Sequence, residues 1–228
     1  MARSDHRRSL ARGVARLSLL ALVAIGCGGS DDGERPIVSP PPAVPTSPRA
    51  LPVTGAFGQP TRFTAELTVG ARYAYTSTWG TRAGVRGNAV FIWDAQPAEP
   101  VLVDSVIVAD AGTTGDVQLV EDANLLVVAI EPAPRGAIAL YDVRDRVRPR
   151  LLTRYETANT RNGVHTATVA RVDGRLYAFL CVNPFGSEAA RLVIVDVQDP
   201  TAPREVWVRT LGAPFVHDVF VRDGILLT

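Results

Sequence analysis

Short apolar runs separated by turn residues occupy the chain from residue 61 onward. Three of these runs, residues 88–94, 137–142 and 192–196, each end in an aspartate that is followed by a turn and another apolar run. Two further short runs precede each of them. Runs of this length between turn residues are typical of β-strands, so the pattern predicts an all-β region.

The runs recur as groups of four in about 50 residues, a period that indicates a repeated four-stranded unit. Residues 192–195 are apolar at every position, so both faces of that strand need a cover, as in a sheet stacked between two others. Asp173-Gly174 and Asp223-Gly224 are suited to the positive φ of two-residue hairpins. We therefore predict a β-propeller of four antiparallel strands per blade over residues 61–228.

The predicted region holds about three blades and the start of a fourth, whereas propellers close with about four to eight. The last residue, Thr228, falls at the end of a second strand. On this basis we expect the sequence to be the N-terminal part of a longer protein.

One repeat resembles a known family. Leu192-Val-Ile-Val-Asp196, followed by Val197, Asp199-Pro200 and Pro203, is similar to the repeat of the LVIVD family of bacterial surface propellers. His217-Asp-Val219 and Arg72-Tyr-Ala-Tyr75 resemble the first and second strands of that repeat. The resemblance covers residues 61–228 and implies a β-propeller outside the cytoplasm, but it assigns no catalytic residue.

The N-terminal residues have the features of an export signal. Five arginines within residues 1–16 precede an apolar run at 17–25, which is too short to span a bilayer. Ala24-Ile-Gly-Cys27 resembles the bacterial lipoprotein signal, in which the cysteine is acylated and becomes the mature N-terminus. We predict a signal peptide at 1–26 and lipidation of Cys27; the alternative is an ordinary thiol in a secretory peptide.

Residues 27–60 contain eight prolines and almost no large apolar run, so they predict an extended tether between membrane and propeller. The membrane is thus one predicted partner, reached through acylated Cys27. The predicted location is extracytoplasmic and membrane-anchored, at the outer membrane or cell surface. The periplasmic side of the membrane is an alternative location.

Charge and motifs reduce the number of function classes that fit the sequence. The 24 basic and 23 acidic residues give a net charge of +1, which does not favour a nucleic-acid partner. The sequence has no glycine-rich phosphate loop, Gly-x-Ser-x-Gly elbow or paired-cysteine metal motif. We therefore favour a binding scaffold for a protein, peptide or glycan, without defined catalysis; the alternative is a channel-centred, metal-dependent enzyme completed by further blades.

Two groups of residues are candidate sites. His165 and His217 begin the first strands of successive blades, and with Asp116 and Asp218 they are expected at the rim of the channel. Imidazoles and carboxylates are ligands for a divalent metal, but hydrogen bonding between blades is the favoured interpretation, and no cofactor is predicted. The loops between second and third strands carry the candidate binding residues Trp79, Arg82, Arg86, Arg135, Phe185 and Arg191; the alternative is solvated loops.

The recurring aspartates Asp94, Asp142 and Asp196 are predicted to be structural. A feature that recurs in every repeat is expected to serve the fold, here as an acceptor for backbone N–H groups in the turn.

Overall fold

The computed structural model describes residues 53, 55–131, 135–212 and 215–228. The predicted signal peptide, Cys27 and most of the predicted tether lie outside the described residues. Over the described part of the chain, no helix is long and apolar enough to pass through a bilayer.

Three four-stranded antiparallel sheets follow one another along the chain, and consecutive strands of each sheet are neighbours. Blade 1 consists of β1 (Phe63–Val69), β2 (Tyr73–Trp79), β5 (Ala89–Asp94) and β6 (Val101–Ile107), with the small hairpin β3 (Thr81–Arg82) and β4 (Val85–Arg86) between β2 and β5. Blade 2 consists of β7 (Val117–Val120), β8 (Leu125–Ile130), β9 (Ala137–Asp142) and β10 (Arg150–Tyr155), with a 3-10 turn at Glu121–Ala123. Blade 3 consists of β11 (Val164–Val172), β12 (Arg175–Val182), β13 (Arg191–Asp196) and β14 (Arg204–Thr210), and a further hairpin consists of β15 (Phe220–Arg222) and β16 (Ile225–Leu227).

This architecture confirms the all-β prediction of three blades and the start of a fourth. The core lies between the blades. Every side chain of β8 is buried, because blades 1 and 3 cover its two faces. Tyr75 and Ile92 of blade 1 pack against one face, and Leu180 and Val193 of blade 3 belong to the cluster on the other. The predicted two-sided cover of the third strand is also found, since β13 is largely buried.

The first strands of successive blades are joined by side chains that bond to the backbone of the next blade. The Thr68 hydroxyl accepts the N–H of Leu119 at 3.1 Å, and the Gln118 amide donates to the Val169 carbonyl at 3.1 Å. The Thr168 hydroxyl donates to the Val219 carbonyl at 2.9 Å. Each pair is separated by 51 residues in sequence, so the first strands lie in order, side by side.

One end of each blade carries its tight turns, and we call this end the turn face. The predicted hairpin at Asp173-Gly174 has φ of 49° and 79°, which is the left-handed conformation that favours glycine. Backbone hydrogen bonds from Ala95 to Arg72 and from Val197 to Leu176 bring the turns of each blade together.

The recurring aspartates act on the turn face as predicted. Asp94, Asp142 and Asp196 each accept the backbone N–H two residues further along the chain, at 3.0–3.1 Å. Each also pairs with at least one arginine, as Asp196 does with Arg175 at 2.6 Å. The same carboxylate therefore closes the same turn in three blades.

Candidate functional site

The opposite end of the blades forms a second surface, which we call the loop face. It consists of the loops between second and third strands and the loops that lead into the first strand of the next blade. Backbone hydrogen bonds join the two kinds of loop: Thr114 donates to Thr78 at 3.0 Å, Gly136 to Arg161 at 3.1 Å, and Asn183 to Gly163 at 2.9 Å. Both groups of candidate site residues belong to these loops or to the adjoining strand ends.

His165 and His217 lie side by side on the loop face, with their Nε2 atoms 3.0 Å apart. His165 is partly buried at the start of β11, whereas His217 is exposed just before β15. The edge of the Trp79 ring meets the His165 ring, with the ring centroids 5.6 Å apart. The two imidazoles that the repeat predicts at successive first strands are thus in direct contact.

Glu131, which was not predicted, is buried beside this pair. Its Oε1 lies 3.1 Å from Nδ1 of His165, and its Oε2 accepts a hydrogen bond from the Asn183 side chain. The hydrogen bond to Glu131 raises the pKa of His165 and places a proton on Nδ1. The only signal for Glu131 in the sequence is its position directly after the apolar run of β8.

Asp116 and Asp218 lie near the pair, but their carboxylates bond to the first strands. Asp116 accepts the N–H of Ala167 at 2.8 Å, and Asp218 accepts the N–H of Val219 at 2.7 Å. Burial raises the pKa of Asp116. Within the described residues, no three His, Cys, Asp or Glu side chains converge as ligands for one metal ion.

A cavity of about 300 Å³ opens beside the imidazoles. Its lining includes Phe63, Glu66, Trp79, Gly115, His165 and His217. A Cβ atom on Gly115 would lie 2.9 Å from the His165 carbonyl oxygen and 3.0 Å from Oε1 of Glu131. The absence of a side chain at Gly115 therefore leaves room for the contact between Glu131 and His165.

The predicted aromatic binding residues are exposed on the loop face. Trp79 is 44% exposed and Phe185 is 60% exposed. The Arg82 guanidinium lies over the Phe63 ring, 5.1 Å from its centroid. Arg86, next to them in β4, accepts a hydrogen bond from Arg62 through its carbonyl oxygen at 2.9 Å.

The two remaining predicted arginines are in ion pairs. Arg135 lies 2.8 Å from Glu156, and Arg191 lies 3.0 Å from Glu188. The hydrogen bonds of Arg191 and Arg161 lower the pKa of Glu188 to about 2. Phe215, which was not predicted, is a further exposed aromatic residue and lies in the loop before β15.

Of the comparisons with known proteins, the search of solved structures found a similar fold. No protein-family model matches the chain, and a search of curated proteins found no match. Among solved structures, the chain is similar to the Bombyx mori GH32 beta-fructofuranosidase BmSUC1, with a TM-score of 0.50 and 10% identity over 72% of this chain and 41% of that one. The Saccharomyces cerevisiae protein Sqt1 gives a TM-score of 0.49 and 6% identity over 69% of this chain and 38% of that one.

The chain therefore spans about two fifths of the length of these solved structures. At 10% identity, the similarity to the beta-fructofuranosidase supports the fold alone. Together with the three stacked sheets, this similarity defines the described region as β-propeller-like. The resemblance to the LVIVD family stays a prediction, as do lipidation and the tether.

Proposed function

We propose that the chain is an LVIVD-type lipoprotein, anchored outside the cytoplasm through Cys27, whose blades present a binding surface for a protein, peptide or glycan. The observation that carries the binding proposal is the set of exposed aromatic side chains on the loop face. Phe63, Trp79, Phe185 and Phe215 are each between 44% and 60% exposed. Large aromatic side chains and arginines are among the residues that contribute most of the binding energy in protein interfaces.

The scaffold supports this proposal because it holds the loops in place before a partner arrives. Thr78 and Thr114 join the first loop to the next blade through buried hydrogen bonds. Arg82 is already stacked on Phe63, so less side-chain freedom is lost on binding. A rigid base with loops of different length is a common arrangement for recognition.

The binding proposal is tested with the purified full chain, a displayed random-peptide library and a glycan array. Ligands selected by the chain are then measured against the double variant Trp79→Ala/Phe185→Ala. We expect at least a tenfold loss of affinity, which corresponds to about 1.4 kcal/mol. Trp207→Ala is the matched control, because Trp207 is 42% exposed on the outer strand β14, away from the loops.

Equal affinity in the double variant and the control would contradict the assignment of binding to the loop face. A loss in the Trp207 variant alone would place binding on the outer edge of blade 3 instead.

The anchoring proposal is tested by growing a bacterial expression host with radiolabelled palmitate. Label and membrane association are expected for the parent chain and for Cys181→Ala, which removes the buried second cysteine. Both are expected to disappear in Cys27→Ala. Label in the Cys27 variant, or its absence from the parent, would contradict lipidation at Cys27.

A further inference from the structure

We infer that His165 and His217 bind one copper(II) ion through their Nε2 atoms, at the mouth of the loop-face cavity. This inference goes beyond the proposed binding function and does not depend on it. It rests on the separation of the two nitrogens, the angle between the rings, the partner of the other His165 nitrogen and the charges nearby.

The separation of the nitrogens matches two adjacent ligands of one ion. With metal–imidazole bonds of about 2.0–2.1 Å, adjacent nitrogens lie about 2.9 Å apart in a square-planar site and about 3.3 Å apart in a tetrahedral one. The Nε2 atoms of His165 and His217 are 3.0 Å apart. Square-planar coordination by nitrogen and oxygen is typical of copper(II), which also has the highest affinity in the divalent series.

The rings do not meet head-on. Their centroids are 4.6 Å apart, with an angle of 74° between the ring planes. Two rings whose nitrogens faced each other directly at 3.0 Å would be further apart, because a ring radius would be added on each side. The contact has the geometry of a bent hydrogen bond between the two imidazoles, and copper(II) would take the place of the shared proton, with both lone pairs directed at the ion.

Glu131 prepares His165 to act as a ligand. It accepts a hydrogen bond from Nδ1 of His165, which leaves the lone pair of Nε2 free to face His217. The Asn183 side chain holds the other carboxylate oxygen. A buried carboxylate on the second nitrogen of an imidazole is the usual outer partner of a metal-binding histidine.

The charges around the pair favour a cation. The negative charges of Glu131, Asp116 and Asp218 all act on His165, and Glu66 lines the same cavity. Copper(II) placed between the imidazoles would be attracted by these carboxylates without displacing their hydrogen bonds to the first strands.

The remaining coordination positions belong to water or to a small ligand. No third His, Cys, Asp or Glu completes a ligand set among the residues that the structure describes. The cavity of about 300 Å³ beside the pair gives room for such a ligand. Open coordination positions are typical of a site that exchanges ligands rather than of a closed structural site.

The test is a titration of the purified full chain with copper sulfate, followed by electron paramagnetic resonance. We expect one copper(II) ion per chain and a spectrum with coupling to two imidazole nitrogens. Fluorescence of Trp79 should be quenched, since its ring contacts that of His165. Quenching should disappear in Trp79→Phe and persist in Trp207→Phe.

Variants separate this site from other copper binding. His217→Ala should reduce the coupling to one nitrogen and weaken binding at least tenfold, and the double variant His165→Gln/His217→Ala should remove the site. Glu131→Gln should weaken binding by about 10–100-fold, as is usual for an outer partner. His6→Ala, made in a chain that retains residues 1–26, is the matched control, because it removes the third histidine of the sequence and should change nothing.

Circular dichroism and urea unfolding of each variant show whether it is folded. Because His217 is exposed, its replacement should leave the fold unchanged. Absence of copper binding by the parent would overturn the inference. Binding that persists in the double variant, or that is lost only in His6→Ala, would overturn it as well.

Discussion

The two faces of the blades differ in what they repeat. On the turn face, one aspartate per blade closes the same turn and pairs with arginine, as Asp94, Asp142 and Asp196 show. On the loop face, the charged and aromatic contacts change from blade to blade: Glu131 bonds to His165, whereas Trp79 ends β2 and Phe185 lies in a loop of blade 3. Groups that recur in all three blades serve the fold, and groups that differ between blades are where a function is best sought.

The largest expected effect on stability is on the turn face. Asp196→Ala removes an acceptor for the Gln198 N–H and the partner of Arg175, in a side chain that is almost fully buried. We expect the free energy of unfolding to fall by about 1.5–3 kcal/mol, measured by urea denaturation. Asp104→Ala, on the exposed outer strand β6, is the control and should have little effect. Equal losses in the two variants would contradict the structural role of Asp196.

The second prediction concerns the hairpin between β11 and β12. Gly174 has a φ of +79°, which a β-branched side chain tolerates poorly. Gly174→Val should therefore cost about 1–2 kcal/mol in unfolding experiments. Gly58→Val is the control, because nothing lies within 4 Å of a Cβ at Gly58. An unchanged Gly174 variant would show that the turn has another conformation.

The third prediction concerns the pH dependence of stability, for which each face supplies one carboxylate. The expected change in stability is smaller than in the two variants above. Hydrogen bonds lower the pKa of Asp196, led by the Gln198 N–H, and that of Glu188 to about 2, led by Arg191. Each group therefore stabilises the folded state above the pKa of its unfolded form, near pH 4, and this stabilisation is lost as the pH falls toward the folded pKa.

Glu188→Gln should thus lose less stability than the parent between pH 4.5 and pH 2, measured by thermal unfolding across that range. Glu99→Gln removes the same charge from an exposed turn of blade 1 and serves as the control. A Glu188 variant with the parent's pH dependence would contradict the role assigned to its ion pairs.

The smallest expected effect on stability is at the loop face. Phe185→Ala should change the free energy of unfolding by no more than about 0.5 kcal/mol, because the side chain is exposed. The same variant should weaken the binding of any ligand selected on the loop face. A large loss of stability would show that Phe185 supports the fold rather than recognition.

Much of the fold could be predicted from the sequence because its determinants are local and repeated. The Asp-Gly pairs set the hairpins, and the four-residue apolar run at 192–195 indicated a strand covered on both sides. The same repeat placed His165 and His217 at the start of successive first strands. Their direct contact depends on the packing of neighbouring blades, which a single repeat does not contain.

The rest of the candidate site could not be predicted because its contacts join distant loops. Glu131 and Asn183 are 52 residues apart, and neither belongs to a recognisable motif. Arg135 and Arg191 were predicted as contact residues from their side-chain type and their position in the loops between second and third strands. Their acidic partners Glu156 and Glu188 became apparent only from the folded chain.

Nuclear Overhauser effects on the chain, deuterated except at its methyl groups and its N–H groups, are the central test of the stacked blades. Stacked blades should give contacts across 51 residues at each junction: the Thr68 side chain with the Leu119 amide, the Gln118 side-chain amide with Val169, and the Thr168 side chain with Val219. Backbone contacts that pair β5, β9 and β13 side by side in one sheet, without those three, would contradict it.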